Sequence, residues 1–344
     1  MTNQQSFFMK SVCAGLVSLA LSGCGESDLV ELHDQQLEDA RAMAAAEPDA
    51  GAANPDAAGQ DTDQSVDQGS STTDGGDANT SEGSTTQESE SLVTNGTIDL
   101  GRYELIFTDE FRGTSIDDTK WNTALAWGAD FVIYNQQQYY VDVQNNPDFG
   151  FNPFSLDGEV LTISAIQTPD ELRAAANEQS WLSGVLASND KFEFQYGYIE
   201  ARVDVEEGRG IWPSFWMLSS EFIGLKPELF IMEYDGSKPD SVFHNYNYHD
   251  EDDNLRLSGQ WEVMVEDFSE GFHTVGVEWS PGELLFYIDR QPRYRVLGEN
   301  IPAQDLYVIL NLAMGGVWPG DPDGTTPNPA TMKIDYVRAY QLIQ

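Results

Sequence analysis

The feature that most constrains the fold of this chain is a repeated alternation of apolar and polar residues beyond position 98. It occurs in short runs rich in aromatic and β-branched residues, bounded by Gly, Pro, Asp and Asn. The clearest runs are 103–108, 160–165, 194–203, 274–279, 284–289 and 332–340. Helical patterns are scarce, and the only modest candidates are 169–177 and 303–306. Many short strands without intervening helices predict an all-β protein, a two-sheet antiparallel sandwich.

The composition divides the chain near position 95. Aromatic residues are rare before this point, and all eight Trp lie at or beyond Trp121. Residues 48–91 contain almost no large apolar side chain, so they cannot bury enough surface to offset their ordering entropy. We therefore predict one folded domain over residues 98–344, preceded by a disordered acidic linker over residues 24–97.

The first residues have the pattern of an export signal. Lys10 precedes an apolar run over 12–21, which is too short to span a membrane comfortably, and Cys24 follows two small residues. The stretch 21–24 resembles the bacterial lipobox. This resemblance implies a signal peptide over residues 1–23, a lipid on Cys24 and a location at the cell envelope, with the outer membrane favoured because Gly25 follows the cysteine. The alternative is an ordinary signal peptide and an extracellular protein.

The charge and the cysteines exclude several classes of partner and site. The net charge is −41, and 40 of the 58 acidic residues lie beyond position 100. Nucleic acid is excluded as a partner, because phosphate binding needs clustered Lys and Arg. The only cysteines are Cys13 and Cys24, so the folded domain has no disulfide and no thiolate metal site. We expect this domain to be a monomer.

The residues with catalytic potential concentrate in the segment 227–234. In a regular strand Glu228 and Phe230 point to one face and Glu233 to the other. One inserted residue, a β-bulge near Ile231 or Met232, would bring Glu233 to the face of Glu228. Two carboxylates on one surface suit glycoside hydrolysis, and a retaining enzyme holds them about 5–5.5 Å apart.

This segment and its surroundings resemble glycoside hydrolase family 16. Residues 228–233 are similar to the bulged signature Glu-x-Asp-x-x-Glu of that family, and 211–218 contain its Trp-Pro-x-x-Trp block. The stretch 135–140 resembles the segment that opens the family's cleft, and three later blocks follow in the same order, at 272–279, 311–316 and 334–337. The resemblance implies a curved β-jelly roll with a concave substrate cleft, in which Glu228 is the nucleophile and Glu233 the general acid/base.

The resemblance also implies a function. The segments 231–234 and 211–218 are closer to laminarinases than to agarases or carrageenases, which indicates a retaining endo-glycosidase that cleaves β-1,3-glucan such as laminarin and needs no cofactor for catalysis. An agar- or porphyran-type galactanase is the alternative within the same class.

One position departs from the family pattern. The central Asp of the signature, which would hydrogen-bond both glutamates, is Phe230 here. Phe cannot share a proton, and it removes water from the carboxylates beside it. Two hypotheses follow: an enzyme with impaired activity, or a surface lipoprotein that binds polysaccharide without cleaving it.

Aromatic side chains stack against the flat faces of sugar rings, so tryptophans near the catalytic strand are candidate substrate-binding residues. Trp212 and Trp216 lie four residues apart on one strand face, and Trp318 follows a Gly-Gly pair. For His244 and Asn135, a contact with a sugar hydroxyl and a purely structural role both stay open. Packing or rim positions are expected for Trp121, Trp181, Trp261 and Trp279.

A structural Ca²⁺ on the outer face is implied only by the family resemblance, through Glu110, Gly158 and Asp335. The acidic run 250–254 lacks the glycine and the distal glutamate of an EF-hand, so it is interpreted as a solvated turn. With four His in the chain, a zinc site of the usual spacing is not expected.

Overall fold

The computed structural model describes residues 96–343, apart from 130–131, 224–225, 250–254, 258–259, 264–265 and 299. The predicted signal peptide, Cys24 and nearly all of the predicted linker lie outside the described residues, as does the acidic run 250–254. Among the residues that are described, no helix is long and apolar enough to cross a membrane.

The described residues form strands and short turns. The strands are β1 (Tyr103–Asp109), β2 (Gln138–Tyr140), β3 (Phe154–Leu156), β4 (Leu161–Gln167), β5 (Trp181–Ser183), β6 (Val185–Ala187), β7 (Glu193–Phe194), β8 (Gly197–Val205), β9 (Ile211–Ile223), β10 (Lys226–Glu233), β11 (Ser241–His249), β12 (Leu255–Leu257), β13 (Gln260–Val263), β14 (His273–Ser280), β15 (Glu283–Ile288), β16 (Gln291–Leu297), β17 (Leu306–Met314) and β18 (Ala330–Leu342).

Two sheets contain all of these strands. The first runs β16-β15-β14-β8-β18-β4-β5-β2, with β1 paired to β18 and β3 to β4. The second runs β12-β11-β10-β9-β17-β6, with β13 paired to β11 and β7 to β17. Pairing is antiparallel except between β2 and β5. The predicted all-β, two-sheet architecture is therefore confirmed.

The alternation in the sequence explains how the sheets pack. In β4 the side chains of Leu161, Ile163 and Ala165 are buried, whereas the residues between them are partly exposed. In β9 both faces are buried: Phe215 and Met217 belong to the main core, and Trp216 and Leu218 to a second apolar cluster on the opposite face. The second sheet thus has one face toward the main core, and its opposite face carries the side chains of the second apolar cluster.

The helix predictions are only partly correct. Within 169–177 the chain forms two 3-10 turns, Asp170–Leu172 and Ala174–Ala176, rather than a continuous helix. Residues 303–305 form no helix, and Leu306 already belongs to β17. The second prediction fails because β17 begins at Leu306, before a full helical turn can form.

Candidate active site

The predicted bulge is present in β10. Phe230 pairs with Asn245 on β11, but the next pair is Glu233 with Phe243, so β10 advances by three residues while β11 advances by two. A shift between Phe230 and Met232 also occurs in the pairing with β9. The extra residue returns Glu233 to the face of Glu228, and both side chains line the same pocket.

Both carboxylates are held in a nearly dry environment. Glu228 is 2% exposed and Glu233 is 4% exposed. The Asn247 amide donates to Glu228 Oε2 at 3.2 Å, and the Trp212 indole N–H donates to Glu233 Oε1 at 3.2 Å. These hydrogen bonds hold each carboxylate at a fixed place in the pocket wall, and hydrogen bonds to a charged group are among the stronger ones in proteins.

Phe230 lies between the two glutamates and closes the centre of the site with an apolar ring. It stacks on Trp216, with ring centroids 5.1 Å apart and planes inclined by 11°. Its cross-strand neighbour Asn245 is fully buried, and neither atom of its amide has a hydrogen-bond partner. A buried amide without partners is costly, and here it faces the position where the family signature has an acceptor.

The tryptophans predicted from the sequence occupy two different situations. Trp212 contacts Trp318 edge-on at 5.1 Å between ring centroids, so these two rings form one aromatic wall beside Glu233. Trp216 donates its indole N–H to Asn311 Oδ1 at 2.8 Å and is covered by Phe230. Trp212 and Trp216 both line the pocket, but the Trp216 face under Phe230 is not available to a sugar ring.

A loop ahead of β2 forms the other wall, and sequence reasoning missed most of it. Described pocket residues from this loop and from β2 are Leu125, Trp127, Ala129, Val132, Ile133, Tyr134, Gln136, Gln138 and Tyr140. Tyr140 accepts from the Asn311 amide at 3.0 Å, which links this wall to Trp216. The stretch 125–134 has no strand periodicity, so its aromatic residues were the only sign in the sequence that it could line a pocket.

Asn135 is exposed and does not line the pocket, although its neighbours on both sides do. Its backbone lies in the left-handed region, with φ of 56°, which Asn tolerates better than most residues. The structure therefore gives Asn135 a turn-forming role that directs Tyr134 and Gln136 inward.

The structure does not bring His244, predicted from the sequence as a candidate substrate-binding residue, to the pocket. It is fully buried, its Nδ1 lies 2.7 Å from the Ile231 carbonyl oxygen, and its ring stacks on Phe286 in the main core. Phe243, Asn245 and Asn247 share the other face of β11, because they pair with Glu233, Phe230 and Glu228. Alternation along the strand therefore turns His244 away from the pocket.

The predicted packing role holds for Trp121, Trp181 and Trp279, which are all buried in the main core. The indole of Trp121 donates to Asp109 Oδ2 at 2.8 Å, and that of Trp279 to the Pro302 carbonyl at 3.0 Å. The side chain of Trp261 lies outside the described residues.

The predicted calcium ligands do not fit a cation as they stand. Glu110 accepts two hydrogen bonds from Arg338, at 2.8 and 2.9 Å, and this guanidinium holds the pKa of Glu110 below its usual range. Asp335 accepts from Arg202 at 2.5 Å. Gly158 can offer only backbone groups, and the described residues contain no group of three His, Cys, Asp or Glu that could hold a metal ion.

Comparison with known proteins agrees with this geometry. The sequence pattern of a family described as glycosyl hydrolases family 16 matches residues 152–338. An endo-1,3-1,4-beta-glycanase of Rhizobium meliloti is 32% identical over 266 residues, which cover 75% of this chain and 56% of that protein. The chain spans about half the length of the curated relatives that it matches.

Solved structures share the two-sheet architecture. The laminarinase catalytic domain from Thermotoga maritima MSB8 matches with a TM-score of 0.60 and 29% identity, covering 70% of this chain and 99% of that domain. The endo-beta-1,3-glucanase from Pyrococcus furiosus matches with a TM-score of 0.59 and 30% identity, covering 70% and 95% of the two chains.

Proposed function

Because the chain belongs to glycoside hydrolase family 16, we propose that it is a retaining endo-glycosidase that cleaves β-1,3-glucan of the laminarin type. The observation that carries this proposal is the bulge in β10, which brings Glu228 and Glu233 onto one wall of the pocket. The similar proteins named above as endo-glucanases and laminarinases support the substrate class.

The two glutamates take different roles in the proposed reaction. The Glu228 carboxylate attacks the anomeric carbon while Glu233 gives its proton to the leaving glycosidic oxygen, so the glycosidic bond breaks and a glycosyl ester forms. Glu233 then takes a proton from water, whose oxygen displaces the Glu228 ester and regenerates both groups. The hydrogen bond from Asn247 would hold the Glu228 carboxylate in place for this attack.

The lining of the pocket favours a neutral glycan. Its described residues include two glutamates and no Lys or Arg, so a sulfated or uronic acid ring would meet repulsion without a compensating cation. Aromatic and aliphatic groups provide most of the remaining surface, which suits the C–H faces of glucose units. This lining favours β-glucan over charged galactans.

Variants of the two glutamates test the assignment. We expect the unmodified chain to release reducing ends from laminarin, and Glu228→Ala and Glu233→Ala to lose nearly all of this activity. With azide and an aryl laminari-oligosaccharide, whose phenolate leaves without a proton, Glu228→Ala should form a glycosyl azide of inverted configuration and Glu233→Ala one of retained configuration, because azide replaces the nucleophile in the first and water in the second. The opposite pattern of configurations would contradict the assignment.

Phe230 is the specific observation that supports a second candidate function, binding without cleavage. It takes the place of the residue that would hydrogen-bond both glutamates, and it leaves Asn245 without a partner. Retardation of the chain in a gel that contains laminarin, with no release of reducing ends between pH 4 and 8, would favour this binding role.

We further propose that the mature protein is a monomer anchored at the bacterial envelope, in the outer membrane, by a lipid on Cys24. The apolar run 12–21 and the small residues before Cys24 support this proposal. A lipid-anchored hydrolase would act on polysaccharide at the cell surface.

A further inference from the structure

His244 is the single residue of β11 that lies opposite the bulge. Between the pairs Phe230 with Asn245 and Glu233 with Phe243, two residues of β10 face this one position of β11. Such a two-to-one arrangement disrupts the regular ladder of backbone hydrogen bonds, so the groups within a bulge need other partners.

The imidazole of His244 supplies one such partner. Its Nδ1 lies 2.7 Å from the carbonyl oxygen of Ile231, which is one of the two bulged residues. A carbonyl can only accept, so the hydrogen must be on Nδ1. A fully buried ring with no acceptor for Nε2 is neutral, which leaves Nε2 without a hydrogen. Nε2 is buried and has no partner, which means that the contact with Ile231 is the one hydrogen bond recorded for this side chain.

Packing around His244 restricts the ring to this orientation. It is fully buried and lies against Phe286, with ring centroids 5.0 Å apart and planes inclined by 23°. Val242 and Tyr246, two residues away on either side of the same strand face, also pack in the main core. A purely space-filling position here would accept an apolar side chain, as at Val242, without the cost of burying a polar ring.

We propose that His244 is a positioning residue for catalysis: its Nδ1–H holds the Ile231 carbonyl and thereby fixes the bulge that brings Glu233 to the pocket beside Glu228. This inference rests on the proposed function, because it assigns His244 a role in the same reaction. His244 does not touch the pocket itself, and its effect passes through the backbone of β10.

The test compares two substitutions of similar size, His244→Gln and His244→Met. Gln keeps an N–H donor that can bond to the Ile231 carbonyl, whereas Met fills the space without one. Val242→Ala is the matched control, since it removes core packing from the same strand face without touching the bulge. For each chain we would measure kcat and KM on laminarin, the affinity for a laminari-oligosaccharide and the thermal unfolding temperature, with assays well below that temperature.

The expected result separates activity from stability. His244→Met should lose kcat by about 10- to 100-fold, the size of effect that small misplacement of reacting groups produces, while ligand affinity stays within about threefold. His244→Gln should retain most of kcat even if it unfolds at a lower temperature than the Met variant. Val242→Ala should unfold earlier than the unmodified chain but keep its kcat.

Other outcomes overturn the inference. A Met variant with the kcat of the unmodified chain would show that the hydrogen bond does not matter, and losses of kcat that simply follow unfolding temperature across all three variants would show a structural role only. If the Met variant does not fold, His244→Phe replaces it, because Phe keeps the stack on Phe286 and lacks the donor. If the unmodified chain shows no turnover, the proposed function itself fails and the inference fails with it.

Discussion

The Phe230 ring lies nearly parallel to the Trp216 indole, with centroids 5.1 Å apart, and this stack separates the two glutamates of the pocket. The arrangement gains apolar contact but places no hydrogen-bonding group between the carboxylates. Directly across the strand pair, the amide of Asn245 is buried without a partner. The Asn245 amide therefore has an N–H donor whose acceptor Phe230 cannot provide.

We predict that Phe230→Asp increases the turnover of laminarin. The new carboxylate can accept from Asn245 and share hydrogen bonds with the flanking glutamates, so proton transfer and orientation should both improve. An increase in kcat of about tenfold or more is expected from a positioned proton-sharing group. Reducing-end release, measured from pH 4 to 8 at saturating laminarin, checks this.

Two further variants control for the loss of the stack in that experiment. Phe230→Leu removes the contact with Trp216 without adding a carboxylate, so it should show no gain. Adding Asn245→Leu to Phe230→Asp should remove much of the gain, because the new carboxylate then loses its donor. Equal gains in the Leu and Asp variants would mean that relief of crowding, rather than hydrogen bonding, controls turnover.

The hydrogen bond between Trp212 and Glu233 leads to a second prediction. Trp212→Phe keeps an aromatic ring in the wall with Trp318 but removes the indole N–H that donates to Glu233. Glu233 gains negative charge as it gives up its proton in the transition state, and a hydrogen bond to a charged group contributes about 1.5–3 kcal/mol, so kcat/KM should fall by about tenfold or more. Trp279→Phe is the matched control, since its indole bonds to the Pro302 carbonyl in the core. This control should lower stability but leave kcat/KM unchanged.

The sequence predicted the catalytic strand well because a local spacing constrains it. The spacing of Glu228 and Glu233 requires one extra residue if both are to share a face, and the register shift at Ile231 and Met232 confirms this. Alternation likewise predicted strands of the first sheet such as β4, which buries every second side chain.

The remaining features depend on tertiary contacts that a single sequence does not contain. Which face of β11 carries His244 depends on its register with β10, and the bulge changes that register within two residues. The wall that includes Trp127 comes from a loop, whose path is set by what it packs against. The ion pairs of Glu110 with Arg338 and of Asp335 with Arg202 join distant parts of the chain. The sequence alone therefore could not show that these two predicted calcium ligands are bonded to arginines.

Those two ion pairs predict a weak response to calcium. A site with a Kd of about 10 μM would stabilise the chain by about 2.7 kcal/mol at 1 mM Ca²⁺, which corresponds to several degrees in unfolding temperature. Since both carboxylates already bond to guanidinium groups, we expect a shift of less than about 1 °C between 1 mM CaCl₂ and excess EDTA. A shift of several degrees would show that the ion pairs open to bind the cation.

The proposed lipid anchor predicts a change of location in Cys24→Ser. The unmodified full-length chain, expressed in a bacterium with an outer membrane, should sediment with membranes and dissolve only in detergent. The Ser variant lacks the thiol that carries the lipid, so it should either appear in the soluble periplasmic or extracellular fraction or remain uncleaved. Incorporation of a labelled fatty acid distinguishes lipidation from peripheral binding. Label in the Ser variant, or no label in the unmodified chain, would contradict the proposal.

The buried imidazole predicts a specific dependence of stability on pH. Burial lowers the pKa of His244 to about 4, assisted by the positive charge of Arg293 and opposed by the bond to Ile231, whereas a histidine in an unfolded chain has a pKa of about 6.5. The unfolded state therefore binds a proton between these two values and the folded state does not. Stability must fall as the pH decreases from about 6.5 to 4, on the order of 3 kcal/mol from this group.

His244→Met isolates this contribution because it removes the titrating group and leaves the carboxylates in place. The free energy of unfolding in urea should drop more in the unmodified chain than in the variant when the pH is lowered from 7 to 4.5. At pH 7 itself, the unmodified chain should have the larger free energy of unfolding of the two if the bond to Ile231 outweighs the cost of burying the imidazole. Equal losses on acidification in both chains would mean that His244 is protonated in the folded state or that its pKa is not lowered by burial.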